Sequence, residues 1–176
     1  MFIVIVSVSI TGIFLVLNKA TRTSADPVAR KQALAIAESL LEEIELMPFT
    51  FCDPTDANAA TATGAFVGAG GCATLAESGI GPEAGETRYS AATPYNDVND
   101  YHGFTMNSGN GGIKDITNTV FPALNSYSAS VSVVQEALGS IAATESLRVT
   151  VTVTGPGNTT VTLDGYRTRY APNATQ

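Results

Sequence analysis

Apolar and polar positions follow three successive regimes along this chain. Residues 1–17, MFIVIVSVSITGIFLVL, form an apolar run without a charged residue, Asn, Gln or Pro, closed by Asn18 and Lys19. A helix of that length spans roughly 25 Å, somewhat less than the ~30 Å hydrocarbon core of a bilayer. Phe2, Ile3, Val4, Ile5, Val6, Ile10, Ile13, Phe14, Leu15, Val16 and Leu17 are the side chains it offers to lipid or to other helices. A cleavable secretory signal would open with a basic region and end in a small-residue cleavage site, and the run has neither.

Helical signals continue past the apolar run. Residues 18–25 are polar but free of Gly and Pro, and Ser24-Ala25-Asp26-Pro27 reads as a restart, with Asp26 as cap and Pro27 in the first helical turn. A kink at Asp26 and Pro27 joins the two halves. From 28 to 47 the apolar residues Ala33, Ala37, Leu40, Ile44 and Met47 recur at three- and four-residue spacing, with Leu34, Ile36 and Leu41 widening the stripe. Leu40, Ile44 and Met47 are the expected contacts between this helix and a sheet. Pro48 ends it, lacking an amide proton and restricting the residue before it.

The third regime is a strand pattern. Residues 127–134 alternate Tyr, Ala and Val with Ser, and 147–154 place Leu147, Val149, Val151 and Val153 on one face. Gly155-Pro156-Gly157-Asn158 is a turn signal, so 159–170 continues as the second arm of an antiparallel hairpin. Four regions result: an apolar half-helix at 1–17, an amphipathic half at 18–48, a loop-rich region at 49–126, and an antiparallel β-sheet at 127–176. A long helix packed across a C-terminal antiparallel sheet is an α+β fold.

Charge and composition narrow the function. Nine basic against 16 acidic side chains give a net charge of −7, which repels phosphate backbones and argues against a nucleic-acid partner. The helix charges oppose its own dipole: Arg30 and Lys31 lie near the N-terminal end, Glu38, Glu42, Glu43 and Glu45 toward the C-terminal end. Either this is a solvated face, or the two bands pair with opposite bands on staggered neighbouring helices. Cys52 and Cys72 lack the further ligands of a metal cage, and outside the cytoplasm a disulfide is favoured over two free thiols.

Asn96, Asp97, Asn99 and Asp100 form a close cluster of hard oxygen ligands, a candidate calcium set without EF-hand spacing; an Asx-turn leading into a strand at Phe104 is the favoured alternative. No other cofactor is indicated. The Gly tracts lack the spacing and following lysine of a phosphate loop. His102, the sole histidine, has no Ser or Cys motif beside it, so no enzyme chemistry is expected. Asn158-Thr159-Thr160 and Asn173-Ala174-Thr175 match the glycosylation sequon, a pattern frequent by chance.

An apolar helix continuing into an amphipathic one, then a variable loop and an antiparallel sheet, resembles the type IV pilins and pseudopilins, and most nearly the MshD-like minor pilins of the mannose-sensitive haemagglutinin pilus system. The residues that carry the resemblance are Ser24-Ala25-Asp26-Pro27, the helix from Gln32 through Ala33-Leu34-Ala35-Ile36-Ala37-Glu38-Ser39-Leu40-Leu41-Glu42-Glu43 to Ile44, the stretch Tyr95-Asn96-Asp97-Val98-Asn99-Asp100-Tyr101-His102-Gly103-Phe104, and the closing Gly165-Tyr166-Arg167. Pilin precursors carry a short basic leader, a Gly cleavage site, then Phe or Met and a Glu four residues on. None of this stands in residues 1–17, and the first glutamate is Glu38. The expectation is that the sequence starts inside the transmembrane helix, at an internal Met; an anchored relative that is never processed is the alternative.

The resemblance implies a structural subunit, held in the inner membrane by one span with its C-terminal domain in the periplasm. From there it would enter a type IV pilus-type filament and act in its assembly or initiation. Its partners would be other pilin subunits, met through the N-terminal helix, and the pilus assembly platform. A type II secretion pseudopilin is the alternative within the family. A membrane-anchored extracytoplasmic binding or adhesion module is the alternative from another class.

Overall fold

Helix α1 occupies residues 27–46 of the computed structural model, which describes Ile13, residues 27–77 and residues 79–173. Its buried positions are Ala29, Ala33, Ala37, Leu40 and Ile44, the stripe expected from the spacing, and Met47 lies half-buried just beyond its end. Among the described residues no helix is long and apolar enough to cross a membrane. Phe2, Ile3, Val4, Ile5, Val6, Ile10, Phe14, Leu15, Val16, Leu17 and the kink residue Asp26 lie outside the described residues. Ile13 is helical and exposed, and Pro27 is helical.

The stripe packs on a four-stranded antiparallel meander in the order β1 (Thr105–Met106), β2 (Ser128–Gln135), β3 (Ser146–Gly155), β4 (Thr159–Thr168). Register places Val131 opposite Val151 and Val153 opposite Val161, so the apolar residues of neighbouring strands share one face. The three long strands fall within a residue or two of their expected limits; β4 stops at Thr168 instead of Tyr170. Leu147, Val149, Val151 and Val153 are fully buried under the helix, whereas the opposite face is a polar ladder. There Thr150 bonds Asp164, Thr152 meets Thr162, and Arg148 bridges Glu136 and Asp164. The result is α+β with two layers, one helix thick and one sheet thick.

Gly165 of β4 leaves room for side chains of the helix: a Cβ there would lie 2.0 Å from Glu45 Oε1 and 3.0 Å from Leu41 Cδ1, so both would have to shift. Polar ties fix the helix in place. Tyr127 Oη donates to Gln32 Oε1 at 2.7 Å, and Arg167 Nε donates to the Met47 carbonyl at 3.1 Å. That second bond places a cation at the helix C-terminus, where the dipole favours one.

Glu43 departs from both expectations for the helix charges. It turns inward and takes a two-point ion pair from Arg88, with Nε to Oε1 at 2.7 Å and Nη2 to Oε2 at 2.5 Å, while Tyr101 Oη donates to Oε1 at 2.8 Å. The Arg88 side chain is 3% exposed, so either partner left alone would be a buried charge. Arg30, Lys31, Glu38, Glu42 and Glu45 stay exposed.

The long region 49–104 holds together by satellite packing rather than by sheet. Cys52 and Cys72 form a disulfide with Cα atoms 5.5 Å apart, and Ala59 and Ala62 bury against it in a small second core. Closing a loop of this length contributes very roughly 3 kcal/mol. Truncating an inward and an outward residue of the same turn tests the helix–sheet seam. Ile44→Ala should cost about 2–5 kcal/mol in chemical denaturation, whereas Leu46→Ala, on the open side of the same turn, should change stability by less than about 0.5 kcal/mol.

Candidate metal centre

A short 3-10 turn, Val98–Tyr101, sets the geometry of the acidic site. Val98 and Tyr101 are wholly buried and drag the rest of the turn into the core with them. Asp97 stands at the N-cap with extended backbone, and Asp100 at the third position reaches back to accept the N–H groups of Asn96 and Asp97, both at 2.8 Å. A capped turn thus precedes β1, but its bonds run backward to Asp100 and not forward from Asp97 as in the expected Asx-turn. Its acids are not solvated, however: Asp97 and Asp100 are 0% exposed and Asn99 2%.

Loops from elsewhere in the chain bring further acids to this turn. Glu77 accepts from Asn99 Nδ2 at 2.7 Å, and Asp97 Oδ2 accepts from Thr50 N and Oγ1 at 3.0 and 2.9 Å. One carboxylate oxygen each from Glu77, Glu83 and Asp100 lie within 4.8 Å of one another, and Glu83 joins Asp53 and Glu86 in a second triad of the same span. Of the residues singled out in the sequence, Asp97, Asn99 and Asp100 belong to this convergence. Asn96 lies at its edge, its Nδ2 3.5 Å from Asp53 Oδ2.

Several oxygens of the cluster receive no donor from the described residues. They are Glu77 Oε1, Glu83 Oε2, Asn96 Oδ1, Asp97 Oδ1, Asn99 Oδ1 and Asp100 Oδ1. The contrast with Asp56, a short way along the chain, is informative. Its carboxylate takes the N–H groups of Asn58, Ala73, Thr74 and Leu75 at 2.7–2.9 Å, which holds its pKa well below the usual carboxylate range. Burial acts the other way in the cluster. It raises Glu77 to about 9, with the negative Asp97 adding to the shift. Burial also raises Asp100 to about 8 and Asp97 to about 6, against the pull of their backbone donors. Arg169 is the cation nearby, stacked on Phe49 at 3.9 Å, but its Nη1 is bound to the Thr50 carbonyl and its Nε faces Glu145 at 3.6 Å.

A second concavity lies on the open side of α1. Ile36, Leu46, Met106, Ile113, Ile116 and Phe121 line a largely apolar groove of about 640 Å³. Other residues noted in the sequence have local duties. His102 Nδ1 accepts the Val133 N–H at 3.1 Å, and Asn173 Nδ2 donates to the carbonyls of Ala59 and Ala62, both at 2.9 Å, which commits that sequon's amide to the fold. Asn158 occupies the exposed β3–β4 turn with φ 60°, after Gly157 at φ 67°.

Asp53, Glu77, Glu83 and Glu86 were not legible as site residues, because loops have no periodicity from which to read a common face. The faint signal is three glutamates spaced among Gly, Ala and Pro at 77–86. No family model, curated protein or solved structure matches this chain.

The raised carboxylates set a pH dependence. Folding favours their protonated forms, so the native chain binds more protons than the unfolded one and stability falls as pH rises. In chelator, the melting temperature should decline from near pH 4.5, the ordinary value for Glu77, to about pH 9, its folded value. Glu86, raised to about 7 chiefly by burial, steepens the decline within the same window. A melt series across that window checks the sign.

Proposed function

We propose that this chain is a pilin-like structural subunit, a minor pilin of a type IV pilus-type filament, that is stored in the inner membrane and inserted into the filament during its assembly or initiation. The observation that carries the reading is the amphipathic helix laid across an antiparallel sheet, directly downstream of the apolar run at 1–17. The apolar run keeps the subunit in lipid, each buried side chain contributing on the order of a kcal/mol, and exchanges lipid for neighbouring helices on assembly. Chemistry by the chain itself is not needed.

The exposed charges of α1 support lateral pairing. Arg30 and Lys31 are separated from Glu38, Glu42 and Glu45 by about 16 Å along the axis, at 1.5 Å per residue. A neighbouring helix shifted by about that distance sets the basic band of one against the acidic band of the other. A type II secretion pseudopilin would use the same stem, and the genes beside this one separate the two systems.

The groove beside α1 favours a second reading, an anchored binding or adhesion module, because a concave apolar trough with a few polar side chains, among them Glu42 and Lys114, in its lining is the usual shape of a ligand site. Two experiments divide the readings. Sheared filaments from cells expressing a tagged chain should contain it, and Arg30→Glu combined with Lys31→Glu should reduce its incorporation severalfold; a tagged chain absent from filaments would sink the filament reading. On the adhesion reading, Ile116→Asp in the groove should abolish surface attachment by cells while the subunit remains in filaments, and attachment at the wild-type level would remove that alternative.

A further inference from the structure

We infer that the carboxylates of Glu77, Glu83 and Asp100, with Asp97 and Asn99 beside them, form a calcium site that locks the 77–86 loop onto the Val98–Tyr101 turn. The inference goes beyond the filament reading and concerns the folded domain alone.

Convergence comes first. The three carboxylate oxygens lie within 4.8 Å of one another, and two oxygens on opposite sides of a calcium ion, each about 2.4 Å from it, stand about that far apart. The same three side chains each carry an oxygen without a donor among the described residues, and Glu77 and Asp100 are at least nine-tenths buried. Asp97 Oδ1 and Asn99 Oδ1 are buried and unpartnered in the same way, on the same turn as Asp100. A buried acceptor without a donor is costly, and several on neighbouring side chains call for one shared positive partner.

Chemistry then selects the ion. Every atom offered is a carboxylate or amide oxygen, a hard ligand set, and no thiolate or imidazole joins it: the cysteines are bonded to each other and His102 Nδ1 is bound to Val133. Zinc and copper are disfavoured by that set. Calcium accepts six to eight oxygens in irregular geometry, whereas magnesium demands a near-ideal octahedron and keeps several of its waters, which a buried, loop-built cluster is poorly shaped to hold. Arg169 makes no hydrogen bond to these oxygens among the described residues: its Nη1 donates to the Thr50 carbonyl and its guanidinium stacks on Phe49.

The consequence is mechanical. Asp97 is tied to Thr50, just past the end of α1, and Glu77 follows the disulfide loop, so an ion between Glu77 and Asp100 joins the satellite loops to the turn that carries Tyr101 and its bond to Glu43 of the helix. Removing the ion leaves like charges facing one another in a poorly solvated space. The domain then survives by taking up protons or by opening the 77–86 loop.

Melting of the full chain in detergent at neutral pH, after chelator treatment, tests the site. About 5 mM calcium should raise the melting temperature by roughly 5 °C or more, with half-saturation below about 1 mM, and the same magnesium should do clearly less. Combining Glu77→Gln with Asp100→Asn keeps the shapes and the backbone bonds but removes the two carboxylate ligands an ion would ionise. Without calcium the double variant should melt no lower than the wild type, since amides resemble the protonated acids that burial favours in the ion-free domain, and it should gain nothing from calcium. Terbium supplies a direct readout, because Tyr95 and Tyr101 adjoin the cluster: tyrosine-sensitised emission should appear with the wild type, fall on adding calcium, and be lost in the double variant. Absence of both a calcium shift and terbium emission overturns the site, as does an equal calcium response in the double variant. An equal response to magnesium overturns the assignment to calcium.

Discussion

One apolar seam organises this domain. Ala33, Ala37, Leu40 and Ile44 of α1 share one core with Leu147, Val149, Val151 and Val153 of β3, and no second α-helix joins it among the described residues. Each of the larger side chains contributes about 1.5–3 kcal/mol when removed from water. The small residues of the stripe let the helix lie close, and Gly165 opens room for Leu41 and Glu45 where α1 passes over β4. With one sheet face covered, the other must be polar, and the Ser and Thr alternation of β2, β3 and β4 meets that demand.

A single helix cannot cover all that the sheet and the long loop region expose, so the remaining closure is done by charged and polar ties. Arg88 is the pivot of one set, holding Glu43 on the helix while its Nη1 also reaches the carbonyls of Lys114 and Asp115 at 3.3 Å. Arg167 and Arg169 hold the chain on either side of Pro48 through the carbonyls of Met47 and Thr50. The arginines suit these places because a planar guanidinium can donate in several directions while stacking on aromatic rings, as Arg169 does on Phe49 and Phe51. Ties of this kind are directional, which is how a region with little regular structure acquires a defined shape.

The acidic cluster is the costly counterpart of these ties. Asp97 and Asp100 cannot move to solvent without withdrawing Val98 and Tyr101 from the core, because all four share one turn. Burial of the acids is thus enforced by apolar packing around them, and their electrostatic cost is borne by the fold as a whole. Asp56 shows the other solution, a buried carboxylate supplied with backbone donors, within the same loop region. The two environments differ in donors, and that difference separates a structural carboxylate from a candidate ligand.

The sequence by itself determined the α+β class, the buried stripe of the helix, and the three long strands, because periods of 3.6 and 2 residues are imposed by covalent geometry and need no knowledge of partners. It also marked the end of the helix near Pro48 and made Cys52 and Cys72 each other's natural partners. Only the tertiary structure decided that Glu43 belongs to Arg88, that Gly165 leaves room for side chains of the helix, and that Glu77, Glu83 and Glu86 meet the 97–100 turn. Those choices are made between loops distant in sequence, where no periodicity fixes which way a side chain faces. Which charges become neighbours is then set by how the apolar seam closes and by where the loops are tied down.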